Sequence, residues 1–341
     1  MPEITVIITT YNLQDYIDKC LQELFAQTFQ DFDILIVDDC SSDNTQKIIS
    51  QWKKRYPDKF KTLFLSENLG LPAKTRNAAL NSGLIGGNYI IFLDGDDSIE
   101  PQMLDKMYRA LVNSKAGVAI CAYDRVDAES GHVLCTEMRG FPKVIKMPPE
   151  NDILAFINTS PWNKLWRKDI LGEGRFPEFK VGEEVALFFS SYTKCEYITF
   201  VDEVLIHYCV RKDSVISNTS QESIIRFADE LKTCYQNQTG IYQKNAGVIA
   251  FLHIGISMAL RAADNKAVSL KQHLKWTRNY LATDYNWFKN NDLFKLKSFI
   301  KHGMKGMVLW ICFWAYRMHV FGIILSGYKL ITKLFRIDVK F

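Results

Sequence analysis

This 341-residue chain lacks paired cysteines, although it contains eight cysteines in all. None of them belongs to a Cys-x-x-Cys pair, and the six histidines show no spacing typical of a zinc site. These absences argue against a zinc hydrolase and against a dense disulfide framework. The first residues also lack the basic segment and the cleavage site of a signal peptide. We therefore expect a protein that is not secreted and that works in a reducing cytoplasm.

Glycine-rich phosphate loops are missing as well. A dinucleotide-binding fold carries Gly-x-Gly-x-x-Gly after its first strand, but residues 9–14 contain no glycine, and no P-loop lysine motif occurs in the chain. A nucleotidyltransferase is expected to carry a different glycine-rich loop at the same place, and that loop is missing too. The remaining option is a nucleoside diphosphate held by side chains and by a metal ion.

Apolar strand patterns alternate with amphipathic helical patterns over residues 1–123. The predicted strands are 5–9, 33–37, 61–65, 89–93 and 118–122. The predicted helices are 15–26, a segment capped by Ser42 and Asp43 that runs to 56, 72–82 and 101–113. This order predicts an α/β fold with a mostly parallel central sheet flanked by helices.

Residues 124–220 are less regular, but they contain two more predicted strands, 197–201 and 204–209, and a helical pattern over 183–192. From residue 221 onwards the pattern is helical. Because no linker rich in Gly, Ser or Pro separates the halves 1–123 and 124–220, we expect 1–220 to form one domain. A helical region over 221–341 follows it.

Four polar clusters follow the predicted parallel strands: Thr10-Tyr11-Asn12, Asp38-Asp39, Asn68-Leu69-Gly70 and Asp94-Gly95-Asp96-Asp97. The carboxyl ends of parallel strands meet at one edge of a sheet, where α/β folds bind their ligands. One such cluster is compatible with ordinary turn chemistry, but four at one edge favour a binding site. The last cluster brings three carboxylates together, and a hard cation such as Mg2+ or Mn2+ would neutralise them.

The series of motifs resembles the family 2 glycosyltransferases, which are nucleotide-sugar-dependent enzymes of the GT-A fold. The resemblance covers about residues 3–217. It rests on VIITTYN at 6–12, QTF at 27–29, IVDDCSSD at 36–43, NLG at 68–70, Arg76-Asn77, FLDGDD at 92–97, WNKL at 162–165, GEE at 182–184, and Tyr208 with Arg211. No single segment is decisive, but their order and spacing together are highly specific.

The resemblance implies an inverting, Mn2+- or Mg2+-dependent transfer of a sugar from a nucleotide-sugar, first of all a UDP-sugar, to a hydroxyl of a glycan. The implied donor-binding residues are Thr9, Tyr11, Asp39 and Arg76 around the nucleotide base, Asp94 at the ribose or metal, Asp96 as the principal metal ligand, and Arg211 at the diphosphate. Tyr11 would stack on the base. A core tyrosine and a solvated helix arginine are the structural alternatives for Tyr11 and Arg76.

Glu183-Glu184 departs from the family pattern, which usually reads Glu-Asp. The second acid of that pattern is the general base, so the resemblance implies that Glu184, with Glu183 beside it, removes the proton from the acceptor hydroxyl. The alternative is that both acids stabilise a helix N-terminus through the helix dipole.

The family builds its acceptor side around the segment that holds Trp162, Asn163 and Lys164. Aromatic faces suit sugar rings. The alternative is a core contact between Trp162 and Trp166 on one helix.

The end of the chain is basic. Residues 292–341 contain nine Lys or Arg against two Asp, whereas the whole chain has a net charge of +4. With the aromatic segment 307–316, this pattern predicts an interfacial helix on an anionic membrane. A helix that spans the membrane is disfavoured because Arg317 interrupts the apolar run. A helix packed on the core or in a homo-oligomer is the other alternative.

We therefore expect a cytoplasmic enzyme, peripheral on the inner face of the cell membrane, that extends a glycan or lipid-linked glycan for a bacterial surface polysaccharide. No nucleic-acid-binding module accompanies the basic tail, so no nucleic acid partner is expected. Two other classes stay open. One is a nucleotidyltransferase, and the other is a non-catalytic binding or assembly protein with the same fold.

Overall fold

The computed structural model describes residues 2–179, 182–210, 220–264, 269–285, 296, 300 and 303–335. The chain divides into two units. The first unit comprises residues 1–148 and 157–214, and the second comprises 149–156 and 215–341. Segment 149–156, which contains the short 3-10 helix Ile153–Phe156, thus belongs with the C-terminal helices rather than with the residues on either side of it.

The first unit is built on a sheet of ten strands: β1 Ile4–Thr10, β2 Phe32–Asp38, β3 Phe60–Phe64, β4 Tyr89–Asp94, β5 Ser98–Ile99, β6 Val118–Asp127, β7 Val133–Glu137, β8 Val144–Lys146, β9 Lys164–Arg167 and β10 Tyr197–Val210. The strand order is β3-β2-β1-β4-β9-β6-β10-β5. Strands β1 to β4 pair in parallel as predicted. The α/β fold class is confirmed.

The sheet is more mixed than the sequence predicted, because β9 lies antiparallel between β4 and β6. A strand of four residues gives little periodicity to read, and its direction is set by partners distant in sequence. The two predicted strands near 200 are also a single strand, β10. Register shifts on either side of Val204 accommodate the polar residues Asp202 and Glu203 without ending the strand.

Six helices accompany the described strands of the first unit: α1 Ile17–Phe25, α2 Thr45–Arg55, α3 Pro72–Asn81, α4 Met103–Ser114, α5 Lys168–Leu171 and α6 Glu183–Tyr192. The predicted α3 and α6 begin where the sequence indicated. Helix α2 begins later than predicted, since Asp43 lies in the preceding loop, where its carboxylate accepts the backbone N–H groups of Gln14 and Thr45. That contact ties the loop after β1 to the loop after β2.

The second unit is helical in the residues that the structure describes. Its helices are α7 Gln221–Gln236, α8 Gly240–Ala250, a π-helical turn Phe251–Ser257, α9 Met258–Asp264, α10 Leu270–Asp284, α11 Gly303–Arg317 and α12 Phe321–Phe335. In this described part, one continuous helix, Gly240–Ala263, is long and apolar enough to cross a membrane, and 67% of its apolar 18-residue window is buried within the protein. Length and composition alone are weak evidence, because a buried core helix meets the same criteria.

Gly87 precedes β4 and lies against the start of β1. A Cβ added at this residue would lie 2.5 Å from the backbone nitrogen of Thr5 and 2.8 Å from the carbonyl carbon of Ile4. Backbone atoms of a central strand cannot move away as a flexible side chain can. We expect Gly87→Ala to lower the free energy of unfolding by about 3 kcal/mol, measured by urea denaturation. Gly327→Ala, which meets no atom within 4 Å, is the control, and equal losses in both variants would contradict this account.

Candidate active site

The polar clusters predicted at the strand ends do converge. Thr9 of β1 pairs with Asp94 of β4, and Thr10 pairs with Asp38 of β2, so the last residues of three parallel strands lie side by side. The loops that follow them therefore share one edge of the sheet. This is the position at which parallel α/β sheets bind ligands.

Asp38 and Asn12 stabilise the loops at this edge through hydrogen bonds within the protein. Asp38 is fully buried, and its carboxylate accepts hydrogen bonds from Thr10 Oγ1 at 2.8 Å and from Gln46 Nε2 at 2.6 Å. Asn12 adopts a left-handed conformation with φ of 53°, and its Oδ1 accepts the backbone N–H of Ser42 at 2.9 Å. The left-handed conformation is open to Asn because its short polar side chain bonds locally. The sequence prediction gave these two residues no separate role.

Three residues predicted at the nucleotide base lie at this edge: Thr9 near the end of β1, and Tyr11 and Asp39 in the loops after β1 and β2. Tyr11 is 49% exposed, which rules out the core-tyrosine alternative. Asp39 is buried, and its Oδ1 accepts the backbone N–H of Leu69 at 2.8 Å, which links it to the Asn68-Leu69-Gly70 cluster. Thr9 is half-buried beside them. An exposed ring next to a buried carboxylate is suited to stack on and hydrogen-bond a flat, polar base.

The three carboxylates of the acidic turn after β4 differ in exposure and in contacts. The side chain of Asp94 is 29% exposed and Asp96 is half-buried, whereas Asp97 is buried and its Oδ1 accepts the backbone N–H of Cys209 at 3.1 Å. Asp97 thus anchors the turn to β10. At Gly95, an added Cβ would lie 3.0 Å from Leu13 Cδ1, so the close packing of the turn favours glycine.

No group of three His, Cys, Asp or Glu side chains arranged to hold a metal occurs among the residues that the structure describes. Mg2+ typically takes one or two protein carboxylates and completes its shell with water and substrate phosphates. Asp94 and Asp96 lie two residues apart on one turn and both reach solvent in part. These two carboxylates therefore fit a metal that is bound together with a diphosphate.

Arg76 connects the acidic turn with the predicted catalytic helix. It is 6% exposed, which rules out a solvated helix arginine. Its Nη2 lies 3.2 Å from Asp94 Oδ1, and its Nη1 lies 3.4 Å from Glu183 Oε1. The predicted place for Arg76 was the nucleotide base; the contacts seen here are with two carboxylates.

Glu184 lies in the first turn of α6, after Gly182, whose φ of 77° favours glycine. Its Oε2 atom is buried and makes no hydrogen bond within the described part of the chain. Burial raises the pKa of Glu184, the charge of Glu183 raises it further, and the Arg76 guanidinium partly offsets both. A carboxylate with a raised pKa and no hydrogen bond to one oxygen has the properties of a general base or acid.

The predicted acceptor-side residues are buried. Trp162 stacks on Tyr208 with ring centroids 5.2 Å apart, and Trp166 on β9 stacks on Phe188 with centroids 5.1 Å apart. Both rings are therefore in the core, but against different partners and not on one helix. Lys164 is 0% exposed, and its Nζ donates to Asn163 Oδ1 at 2.7 Å and to Asn158 Oδ1 at 3.0 Å. The acceptor role of these residues stays a prediction, and a direct contact would require them to become exposed.

Burial lowers the pKa of Lys164 to about 7. Between that pH and about 10.4, the unfolded chain binds a proton that the folded chain does not, so stability rises with pH through this window. Relative to Lys164→Met, we expect wild-type protein to gain about 1.4 kcal/mol of unfolding free energy per pH unit. Urea denaturation at pH 7, 8 and 9 measures this difference. Lys47→Met, at an exposed site, should show none; a pH-independent difference at Lys164 would contradict the burial of this amine.

Arg211, the predicted diphosphate contact, lies outside the described residues. His207 donates a hydrogen bond through Nε2 to Glu100 Oε1 at 2.9 Å. Asn77 was noticed only as the neighbour of Arg76, but its amide bonds both the N–H and the C=O of Phe176, at 2.9 and 2.8 Å. In the sequence, only the order of the motifs indicated Asn77, because its partner Phe176 lies 99 residues further along the chain.

The α/β architecture, with its central sheet flanked by helices, is similar to the GT-A fold of Staphylococcus aureus TarS. Residues 5–160 match the model of the glycosyl transferase family 2, and the chain therefore carries a domain of that family, as the resemblance predicted.

Two known proteins illustrate the likeness in sequence. Glycosyltransferase GlyA of Streptococcus pneumoniae is 29% identical over 225 residues, a match that covers 62% of this chain and 31% of GlyA. The chain thus spans about a third of that relative's length. TarS of Staphylococcus aureus, a poly(ribitol-phosphate) beta-N-acetylglucosaminyltransferase, is 27% identical over 222 residues, which cover 62% of this chain and 36% of TarS.

Two solved structures share the fold. The crystal structure of S. aureus TarS 1–349 in complex with UDP-GlcNAc superposes with a TM-score of 0.66 at 21% identity, over 93% of this chain and 92% of that one. Mannosyltransferase PcManGT of Pyrobaculum calidifontis, in complex with GDP-Man and Mn2+, superposes with a TM-score of 0.53 at 14% identity, over 99% and 88% of the two chains.

Proposed function

We propose that this protein transfers a sugar from a nucleotide-sugar, first of all a UDP-sugar, to a hydroxyl of a glycan or lipid-linked glycan in the synthesis of a bacterial surface polysaccharide. The main observation behind the proposal is that Arg76 contacts both Asp94 in the acidic turn and Glu183 at the start of α6. Glu184, the next residue of that helix, has a buried Oε2 atom with no hydrogen bond in the described part of the chain. The family match and the UDP-GlcNAc complex of TarS support the donor class. The name of TarS supports a polymeric acceptor.

The donor's base is held by Tyr11, Asp39 and Thr9. The exposed ring of Tyr11 stacks on the base, and Asp39 accepts a hydrogen bond from it. Such a stack contributes about 1 kcal/mol beyond the area it buries. Residues of β1 and of the loops after β1 and β2 thus bind the nucleotide without a glycine-rich phosphate loop.

Asp94 and Asp96 hold a divalent cation, Mn2+ or Mg2+, together with the donor diphosphate. When bound, the cation stabilises the negative charge that develops on the departing diphosphate. The Mn2+ in the PcManGT complex supports this choice of ion. Asp97 keeps the turn in place through Cys209.

Glu184 supplies the proton chemistry. The acceptor oxygen forms a bond to the anomeric carbon while the bond from that carbon to the diphosphate breaks, and UDP leaves with the bonding electron pair. The acceptor proton passes to Glu184. Attack from the face opposite the leaving group inverts the anomeric configuration.

A panel of nucleotide-sugars with Mn2+ tests the proposal by thermal shift followed by UDP release. A donor at 100 times its Kd stabilises the fold by about 2.7 kcal/mol, so the correct donor should raise the apparent Tm and release UDP when acceptor is present. Release of pyrophosphate from a nucleoside triphosphate would favour a nucleotidyltransferase. Binding without release or transfer would favour the non-catalytic alternative.

The second unit supports a membrane-bound location. Helices α11 and α12 and the turn between them expose apolar side chains: Met307, Ile311, Met318, Ile323 and Ile324. Met318 and Ile323 are 61% and 73% exposed, beside the exposed Arg317. Nine basic residues against two acidic ones over 292–341 favour an anionic lipid surface as the partner, since apolar and basic groups together bind such interfaces.

Sedimentation with phosphatidylglycerol vesicles tests this location. We expect wild-type protein to bind them, and deletion of residues 295–341 to abolish both vesicle binding and transfer to a lipid-linked acceptor. The double variant Met318→Ser with Ile323→Ser keeps the rest of both helices and should lose most of the binding. Equal binding by wild type and this variant, or none by wild type, would overturn the membrane assignment.

A further inference from the structure

Arg76 forms a buried bridge between two parts of the candidate active site. Its guanidinium contacts Asp94 at the end of β4 at 3.2 Å and Glu183 at the start of α6 at 3.4 Å. The side chains of Arg76 and Glu183 are 7% and 10% exposed. Glu184, the proposed base, follows Glu183 directly. The bridge therefore links the helix that carries the base to the turn that carries the acids.

The position of Arg76 is supported by the ring of Phe176, and the backbone of Phe176 is in turn fixed by Asn77. Its guanidinium lies 5.5 Å from the ring centroid of Phe176. Asn77, the next residue on α3, fixes the backbone of Phe176 through two hydrogen bonds of 2.8 and 2.9 Å. A guanidinium with this support holds its two partners in one geometry, because its planar fork presents donors in fixed directions.

A contribution to the stability of the fold does not account for the buried ion pairs of Arg76. Buried ion pairs contribute little net stability, since the loss of hydration offsets their attraction. Arg76 also leaves its Nε buried without a hydrogen bond in the part of the chain that the structure describes. A buried group without a partner requires an explanation, and a role in the active site is one of them.

We propose that Arg76 is a positioning residue for sugar transfer, which fixes α6, and with it Glu184, relative to the acidic turn. This role differs from a contact with the nucleotide base. It rests on the proposed function, because a base and a diphosphate site must both be present for their separation to matter. A misplacement of about 1 Å in such a pair costs on the order of 100-fold in rate.

Arg76→Met and Arg76→Lys, compared with wild type, test the proposal through kcat, donor KM and the Kd for UDP by calorimetry. We expect Arg76→Met to lose about 100-fold in kcat while donor KM and UDP affinity stay near the wild-type values. Arg76→Lys should recover part of kcat, since an ammonium keeps the charge but not the two-pronged geometry. Arg109→Met, at an exposed arginine that pairs with Asp105 on its own helix, is the matched control and should leave all three quantities unchanged.

Glu183→Gln provides a second test that leaves Arg76 in place. It removes the charge at one end of the bridge and should also lower kcat with little change in UDP affinity. If both residues act through one bridge, the double variant Arg76→Met with Glu183→Gln should lose less than the product of the single losses. Loss of folding in Arg76→Met would leave Arg76→Lys and Glu183→Gln to decide.

Three results would overturn the proposal. A rise of about tenfold or more in the Kd for UDP with kcat nearly unchanged would assign Arg76 to the nucleotide. An unchanged kcat in the Arg76 variants would remove any role in transfer. Independent, multiplicative losses would separate Arg76 from Glu183. Absence of UDP binding or transfer in the wild-type protein would instead refute the proposed function, and is thus distinguishable from all three.

Discussion

Glu184→Gln is expected to slow sugar transfer by about 10^2- to 10^4-fold, the usual contribution of a general base. The substitution keeps the shape of the side chain and removes its ability to take up a proton. Donor affinity should stay unchanged, because the proposed donor contacts lie on the strand-end loops. Initial rates and the Kd for UDP measure the two effects separately. Glu178→Gln, at an exposed acid of the same unit, is the control.

Transfer at the wild-type rate by Glu184→Gln would remove Glu184 from the mechanism and favour the helix-terminus alternative. The pH dependence gives an independent check. Because burial and Glu183 raise the pKa of Glu184, kcat/KM should fall as the pH is lowered, with a midpoint above the value of about 4.3 for an ordinary glutamate. Glu184→Asp, which restores the acid usual in the family, should keep part of the activity with a changed placement of the carboxylate.

Asp96→Asn is expected to lose about 100-fold or more in kcat/KM and to require more Mn2+ for half-maximal activity. The amide that replaces the carboxylate has no charge to offer a cation bound with the diphosphate. A Mn2+ titration of UDP binding by calorimetry measures the metal effect without turnover. Asp58→Asn, at an exposed site far along the chain from the acidic turn, should behave as wild type. An unchanged Mn2+ requirement in Asp96→Asn would exclude Asp96 as a ligand.

The order of elements from β1 to α4 could be predicted because each strand and helix carries its own local pattern. Buried runs such as Ile4–Thr10 and Tyr89–Asp94 stand out in the sequence, and Pro72 marks the start of α3. The acids at the ends of these strands were predicted to be site residues, because the strand ends could be located from the same patterns. Their convergence follows from parallel pairing, which the alternation of strand and helix implies.

Features set by distant partners could not be predicted. Strand β9 was missed because its four residues acquire their direction from β4 and β6. The contacts of Arg76 with Asp94 and Glu183 were not predicted, because these partners lie 18 and 107 residues away in the sequence. Lys164, a residue type that is rarely buried, proved fully buried because Asn158 and Asn163 accept its hydrogen bonds. Such contacts require the assembled sheet.

The acids at the sheet edge have two kinds of role: some stabilise the loops, and others are the proposed ligand contacts. Asp38 and Asp97 are both buried acids that bond other parts of the first unit. Their neighbours Asp39 and Asp96 are the proposed ligand contacts. In the Asp96–Asp97 pair, Asp97 fixes the turn, so that Asp96 is presented at a defined place on the sheet edge, whereas Asp38 and Asp39 both bond to neighbouring loops or strands. A pre-organised site of this kind loses less conformational entropy when the donor binds.

Release of UDP from a panel of UDP-sugars, with Mn2+ and acceptor present, tests the central claim most directly. Wild-type protein should release UDP from at least one donor in a Mn2+-dependent manner, and Asp96→Ala should release almost none. If no nucleotide-sugar is hydrolysed or transferred by the wild-type protein, and Asp96→Ala changes nothing, the assignment of the strand-end acids to a sugar-transfer site is contradicted.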